Sequence, residues 1–171
     1  MKRATSIFFV LMTLPLPAQA GGFADHFPAP TRTYKAPPLV FEDQNGAQHA
    51  LGDYRGLYVL LNVWATWCSP CVQEMPSLDA LREQIDPSKL IILPVSEDHG
   101  DAIVTSFYQT HAIKHLPVAI DHAGVALTSL NLHGLPTTLL IDPQGNEVGR
   151  VEGIANWSSP EVIAFLTSRM H

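Results

Sequence analysis

Cysteine is the scarcest chemistry in this 171-residue chain: it has two, and only two residues separate them. Charge is sparse as well, at 15% of residues. Ten Lys and Arg stand against 16 Asp and Glu, with no basic run, which excludes nucleic-acid binding through a cationic face. There is no flavin or nicotinamide motif, so any redox chemistry is expected to use side chains alone and no cofactor. Internal repeats and low-complexity tracts are absent. The apolar stretch near the N-terminus, residues 7–16, is about half the roughly 20 residues that span a bilayer.

That stretch reads instead as part of an export signal. Lys2 and Arg3 supply a positive start, and Ala18-Gln19-Ala20 places small residues where a signal peptidase cuts. Residues 1–20 are therefore expected to be a cleaved signal, an uncleaved anchor being the alternative. Residues 21–37, with Pro28, Pro30 and Pro37, read as a flexible leader. Residues 38–171 suit one domain. Hydrophobic residues make up 46% of the chain, enough for a sizeable core.

An exported chain can use a cysteine pair as a staple. A staple stabilises most when it closes a long loop. Cys68 and Cys71 close a very short one, which argues for a chemical use. Half a zinc site is the other reading. Tetrahedral zinc takes four ligands, and His111 with His115 is the one histidine pair at matching spacing. It falls at a helix end expected to face solvent, so no metal is expected.

Asn45-Gly46 between residues 40–41 and 49–51 marks a hairpin. Residues 57–63 form a near-continuous apolar run, as in a strand buried on both faces. A helix is expected over 68–85, with strands over 90–95 and 116–120 and helices over 101–112 and 123–132. A strand over 137–141, a turn and a strand over 147–152 form a terminal hairpin. Ser158-Ser159-Pro160-Glu161 opens a last helix. Strands alternating with helices predict an α/β layer with a mainly parallel sheet and an antiparallel edge.

The segment Trp64-Ala65-Thr66-Trp67-Cys68-Ser69-Pro70-Cys71 joins the apolar strand to a helix opening at Cys68. Free N–H groups at a helix start favour a thiolate. Cys71 stands nearly one turn on, so the sulfurs can meet in disulfide geometry. The expected result is an exposed nucleophile, Cys68, and a shielded resolving thiol, Cys71.

These residues resemble the thioredoxin superfamily, and within it the exported TlpA/ResA-like thiol–disulfide oxidoreductases. Trp67-Cys68-Ser69-Pro70-Cys71 matches their Trp-Cys-x-Pro-Cys, Glu74-Met75-Pro76 its continuation, and His133-Gly134-Leu135-Pro136-Thr137 their Gly-hydrophobic-Pro-Thr loop. The resemblance covers about residue 38 to the C-terminus. It implies an α/β thioredoxin fold, a mixed central sheet flanked by helices, with an N-terminal β-hairpin extension and a central insertion in residues 90–132.

The resemblance also implies that Pro136 is a cis proline facing the cysteines. Leu135 then presents its peptide groups to an incoming chain, with Thr137 and Trp67 as further substrate-binding residues. Thioredoxins carry a buried aspartate six residues before the first cysteine; Asn62 stands there and cannot titrate. Glu74, three residues past Cys71, is associated with the same pocket in this branch. A partly buried carboxyl there would titrate high and exchange a proton with Cys71. Trp64 reads as packing and His133 as an exposed loop residue, while Trp157 carries no signal.

The function this implies is reduction of disulfides in periplasmic client proteins. A membrane thiol donor of the DsbD/CcdA kind would recharge the dithiol. Clients would lie in cytochrome c maturation or among assembly proteins of the copper centre of cytochrome oxidase. Alternatives are an oxidase or isomerase of the same fold and a copper-binding chaperone.

Overall fold

The computed structural model describes residue 27 and residues 34–170. The expected export signal lies outside the described residues. Among those described, eight strands form one sheet: β1 (Tyr34–Lys35), β2 (Val40–Asp43), β3 (Gln48–Ala50), β4 (Tyr58–Trp64), β5 (Leu90–Ser96), β6 (Ala119–Ile120), β7 (Thr137–Ile141) and β8 (Asn146–Glu152). Their order across the sheet is β1-β8-β7-β4-β5-β6-β2-β3. The helices are α1 (Ser69–Gln84), α2 (Asp101–Thr110), α3 (Ala126–Ser129) and α4 (Pro160–Arg169).

The sheet is mixed, but not mainly parallel as the alternation of elements suggested. Only β4–β5 and β5–β6 are parallel; β7 runs antiparallel to β4. The reason is local. Gly124 at φ +62° and Asn131 at φ +50° break the chain on either side of α3, leaving a four-residue helix. Such a helix advances about 6 Å, far less than the length of β5. The chain cannot return along the sheet and enters β7 from the end at which it left β6. The loop before β7 therefore lies at the same end of the sheet as the cysteines that follow β4.

Other boundaries shift for equally specific reasons. The strand expected over 116–120 shrinks to Ala119–Ile120. Pro117 has no N–H for a ladder, its carbonyl accepts from the Tyr108 hydroxyl, and the Leu116 N–H is taken by Asp79. The hairpin at Asn45-Gly46 forms, with Gly46 at φ +76°, and β2 pairs with β6 to extend the sheet.

Two layers of side chains cover the sheet. Along β4 they alternate: Val59, Leu61 and Val63 join one cluster, while Leu60 and Trp64 join the other with α1, α2 and α4. Asn62, between Leu60 and Trp64, therefore points toward α1. On α1 the buried positions Cys71, Glu74, Met75, Leu78 and Leu81 recur at helical spacing.

The stretch read as a flexible leader is in part built into the fold. Tyr34–Lys35 pairs with β8. Phe27 is buried, stacks on Phe165 at 5.4 Å and meets Trp157 edge-on at 6.1 Å. Gly149 on β8 makes room for it: a Cβ there would sit 2.5 Å from the Phe27 ring.

Candidate active site

β4 ends at Trp64, and four residues later Cys68 caps α1 in an extended conformation. Its sulfur accepts from the Cys71 N–H at 3.3 Å, and the two cysteines are disulfide-bonded. Pro70 sits in the first turn of the helix, where no N–H is required. Cys68 is 7% exposed and Cys71 fully buried. Cys68 is thus the reachable sulfur, but it is far more sheltered than the exposed nucleophile the sequence suggested.

The loop carrying Cys68 is tied down from behind. Asp98, just past β5, accepts from the Thr66 N–H and the Thr66 hydroxyl, both at 2.8 Å. It also accepts from the Ser96 hydroxyl at 2.7 Å. Nothing in the sequence pattern marked this anchor, whose partners lie 32 residues apart.

In front of Cys68 lies a hollow of about 440 Å³, lined by Trp67, Cys68, Pro70, Leu127, Leu132 and the 133–135 loop. Trp67 is 68% exposed. The Leu135–Pro136 bond is cis. Leu135 is half-buried beside the hollow, whereas Pro136 and Thr137 are buried. Thr137 borders a smaller hollow on the other side of the loop, with Pro136 and Glu152. Its hydroxyl donates to the Gly134 carbonyl at 2.7 Å and so braces the loop. His133, exposed as expected, pairs with Glu152 at 2.8 Å.

Behind the disulfide, Glu74 is buried on the same face of α1 as Cys71. Asn62 Nδ2 donates to Glu74 Oε1 at 2.7 Å and to Thr138 Oγ1 at 2.8 Å. The indole N–H of Trp157 and the backbone N–H of Ala155 donate to Glu74 Oε2 at 3.0 and 3.2 Å. Burial raises the Glu74 pKa, and the hydrogen bonds from Trp157, Asn62 and Ala155 offset only part of that rise. No ion pair to Glu74 is present among the described residues. A buried carboxyl with neutral donors and a titration point above the ordinary range can exchange protons near the cysteines. Sequence reasoning missed Trp157, which reaches Glu74 from 83 residues away with no local pattern to reveal it.

The family model for AhpC/TSA matches residues 32–147. The chain belongs to the AhpC/TSA family. Within this thioredoxin-fold family it is 34% identical over 119 residues to thiol-disulfide oxidoreductase ResA of Bacillus thuringiensis subsp. konkukian, covering 70% of this chain and 68% of that one. It is 38% identical over 110 residues to ResA of Geobacillus kaustophilus, covering 64% and 63%. The solved structure described as a thiol:disulfide interchange protein DsbE from Chlorobium tepidum superposes with a TM-score of 0.72 at 23% identity, covering 82% of this chain and 98% of that one. That last likeness concerns the fold. With the bonded Cys68–Cys71 pair, the family relationship makes this member an enzyme, a thiol–disulfide oxidoreductase.

Proposed function

We propose that the protein reduces disulfides in exported client proteins. The observation that carries this reading is the Cys68–Cys71 pair at a helix start, opening on an apolar hollow and backed by a buried acid. In the reduced protein, the Cys68 thiolate attacks one sulfur of a client disulfide. A mixed disulfide forms, and the client's other sulfur leaves as a thiolate and takes a proton. Cys71 then loses its proton to Glu74 and attacks Cys68. The second client thiol leaves, and the Cys68–Cys71 bond forms. Two electrons pass to the client. A membrane thiol donor of the DsbD/CcdA kind restores the dithiol by the reverse exchange.

Trp67 and Leu135 flank the attacked disulfide, and Pro136 sets the direction in which Leu135 presents its peptide groups. Clients are proteins of cytochrome c maturation or copper-centre assembly, met in the periplasm after cleavage near residue 21. Among the described residues, no helix is long and apolar enough to cross a membrane. The test is trapping. Cys71→Ser, expressed in the source cell, should accumulate mixed disulfides through Cys68 that reductant releases, and mass spectrometry identifies the clients. Cys68→Ser should trap none; adducts of equal abundance with that variant would overturn the assignment of nucleophile.

A further inference from the structure

Apart from Glu74, a pair of buried acids lies at the end of the sheet where the cysteines stand. β5 and β6 are parallel with Ser96 opposite Ile120, so the next residue of each strand, Glu97 and Asp121, stand side by side. Their backbones are fixed, the Glu97 N–H on the Trp64 carbonyl and the Asp121 N–H on the Ser96 carbonyl, both at 2.9 Å. Glu97 is 9% exposed and Asp121 1%. Glu97 Oε1 and Asp121 Oδ1 are both buried, and neither receives a protein donor.

A proton held between two such acceptors satisfies both at once. Neither acid has an ion pair among the described residues. Asp98 spends both oxygens on Thr66 and Ser96, His122 turns to Glu42 at 3.4 Å, and His99 is exposed. Trp64 and Thr66 from the β4 side and Ala126 from α3 are uncharged. Burial first, then the charge of Asp121 and the bond to it, push the Glu97 carboxyl up to about 7. The other oxygen of Asp121 is engaged elsewhere, since Oδ2 accepts from the Ala126 N–H at 2.6 Å. Ala126 opens α3, and the next residue, Leu127, lines the hollow in front of Cys68.

We propose that Glu97 carries a proton directed at Asp121 and that the two together position the Leu127 wall of the hollow, so that client docking weakens when that proton is lost. With the proton in place, Asp121 rests against Glu97 and holds Ala126. Without it, two adjacent carboxylates repel in a buried site, Asp121 shifts, and the wall loses its anchor. Glu97 and Asp121 are positioning residues, since neither lines the hollow nor touches the cysteines' disulfide. The inference rests on reading the hollow as the client-docking surface.

The experiment compares two substrates of the reduced protein from pH 6 to 8.5. One is a synthetic disulfide-closed peptide with apolar flanks and no titratable side chains. The other is bis(2-hydroxyethyl) disulfide, too small to use the hollow. The ratio of their second-order rate constants cancels the titration of Cys68. In the wild type this ratio should fall by about 3- to 10-fold across the range, the effect of losing about one hydrogen bond's worth of docking. Glu97→Gln donates permanently to Asp121, so its ratio should stay flat at the wild-type low-pH level. Asp121→Asn, which can still accept from Ala126 while donating to Glu97, should do the same. Stability measured by denaturant over the same range reads the proton itself. The wild type should lose stability as pH rises toward about 7, and Glu97→Gln should lose less. A stability slope with a flat wild-type ratio would overturn the proposal, as would a Glu97→Gln ratio that keeps the wild-type slope. Equal rates with both substrates at every pH would instead remove the docking reading, and this inference with it.

Discussion

Trp157 donates its indole N–H to Glu74 at 3.0 Å, although 83 residues of sequence separate them. The contact joins the loop after β8 to the middle of the cysteine-bearing helix. The same loop is held again by the Ser77 hydroxyl, which accepts from the Trp157 backbone N–H at 3.1 Å. A carboxyl tuned from two distant parts of the chain responds to changes in either.

Trp157→Phe keeps a ring in the core and removes that donor. Hydrogen bonds to ionisable groups contribute about 1.5–3 kcal/mol, and a stability loss of that order is expected in denaturant titration. The lost bond was one of those lowering the Glu74 pKa. The pH profile of mixed-disulfide resolution should therefore move to higher pH, an outcome that loss of packing alone would not give.

Glu74→Gln keeps the shape and abolishes the titration. Resolution of the mixed disulfide should slow by about 10-fold or more, since positioned acid–base groups contribute about 10²–10⁴. Its pH dependence should flatten while the first attack by Cys68 is largely kept. Stopped-flow reaction with a disulfide substrate from pH 5 to 9 reads both steps. Stability gives an independent sign. Because folding raises the Glu74 pKa, the native state holds this proton more tightly than the unfolded chain does. The stabilisation is complete below the unfolded value near 4.5 and is lost as pH rises through the folded one. Glu74→Gln should remove that part of the decline.

Asn62→Asp installs the thioredoxin residue where Glu74 already occupies the site. It replaces a donor at 2.7 Å with a second carboxylate, which raises the Glu74 pKa further and leaves like charges buried together. A loss of about 2–4 kcal/mol at pH 7, recovering toward pH 5 as one acid protonates, is expected from denaturant midpoints. The double variant Asn62→Asp/Glu74→Gln should regain most of the loss. An equal loss at both pH values would mean that charge is not the cause.

Phe27→Ala tests the reach of the fold before residue 38. The ring is 2% exposed and packs on Phe165 and Trp157, so about 3–5 kcal/mol should be lost. A chain starting at residue 38 should be destabilised to a similar degree relative to one starting at residue 21, as thermal unfolding would show. Equal stability of the two chains would limit the functional domain to residues 38–171.

Legibility in the sequence followed the range of the interaction. Cys68, Cys71 and the helix they open are encoded within four residues, and the strand expected over 137–141 forms as Thr137–Ile141. The turn at Asn45-Gly46 was equally local. Contacts set by tertiary closure left no such trace. Trp157 on Glu74, Asp98 on Thr66 and Asp121 beside Glu97 all join residues that are neighbours only in the folded sheet. The bond from the Thr137 hydroxyl to the Gly134 carbonyl was not legible either, because a motif gives position along the chain and not the direction of a side chain. The direction of β7 depended on how short α3 turned out to be, which composition does not reveal.

The sheet's margins carry one further consequence. Among the described residues its outermost strands are Tyr34–Lys35 and Gln48–Ala50, two and three residues long. Open strand edges recruit other chains by backbone pairing, and short edge strands are a common protection against it. Under the proposed function, client chains bring backbone edges of their own to the enzyme. With so little edge among the described residues, the proposed function places a client at the cysteine end and not along the flank of the sheet. On that reading, reduction ends in release, and the short edges guard the enzyme against co-aggregating with its clients.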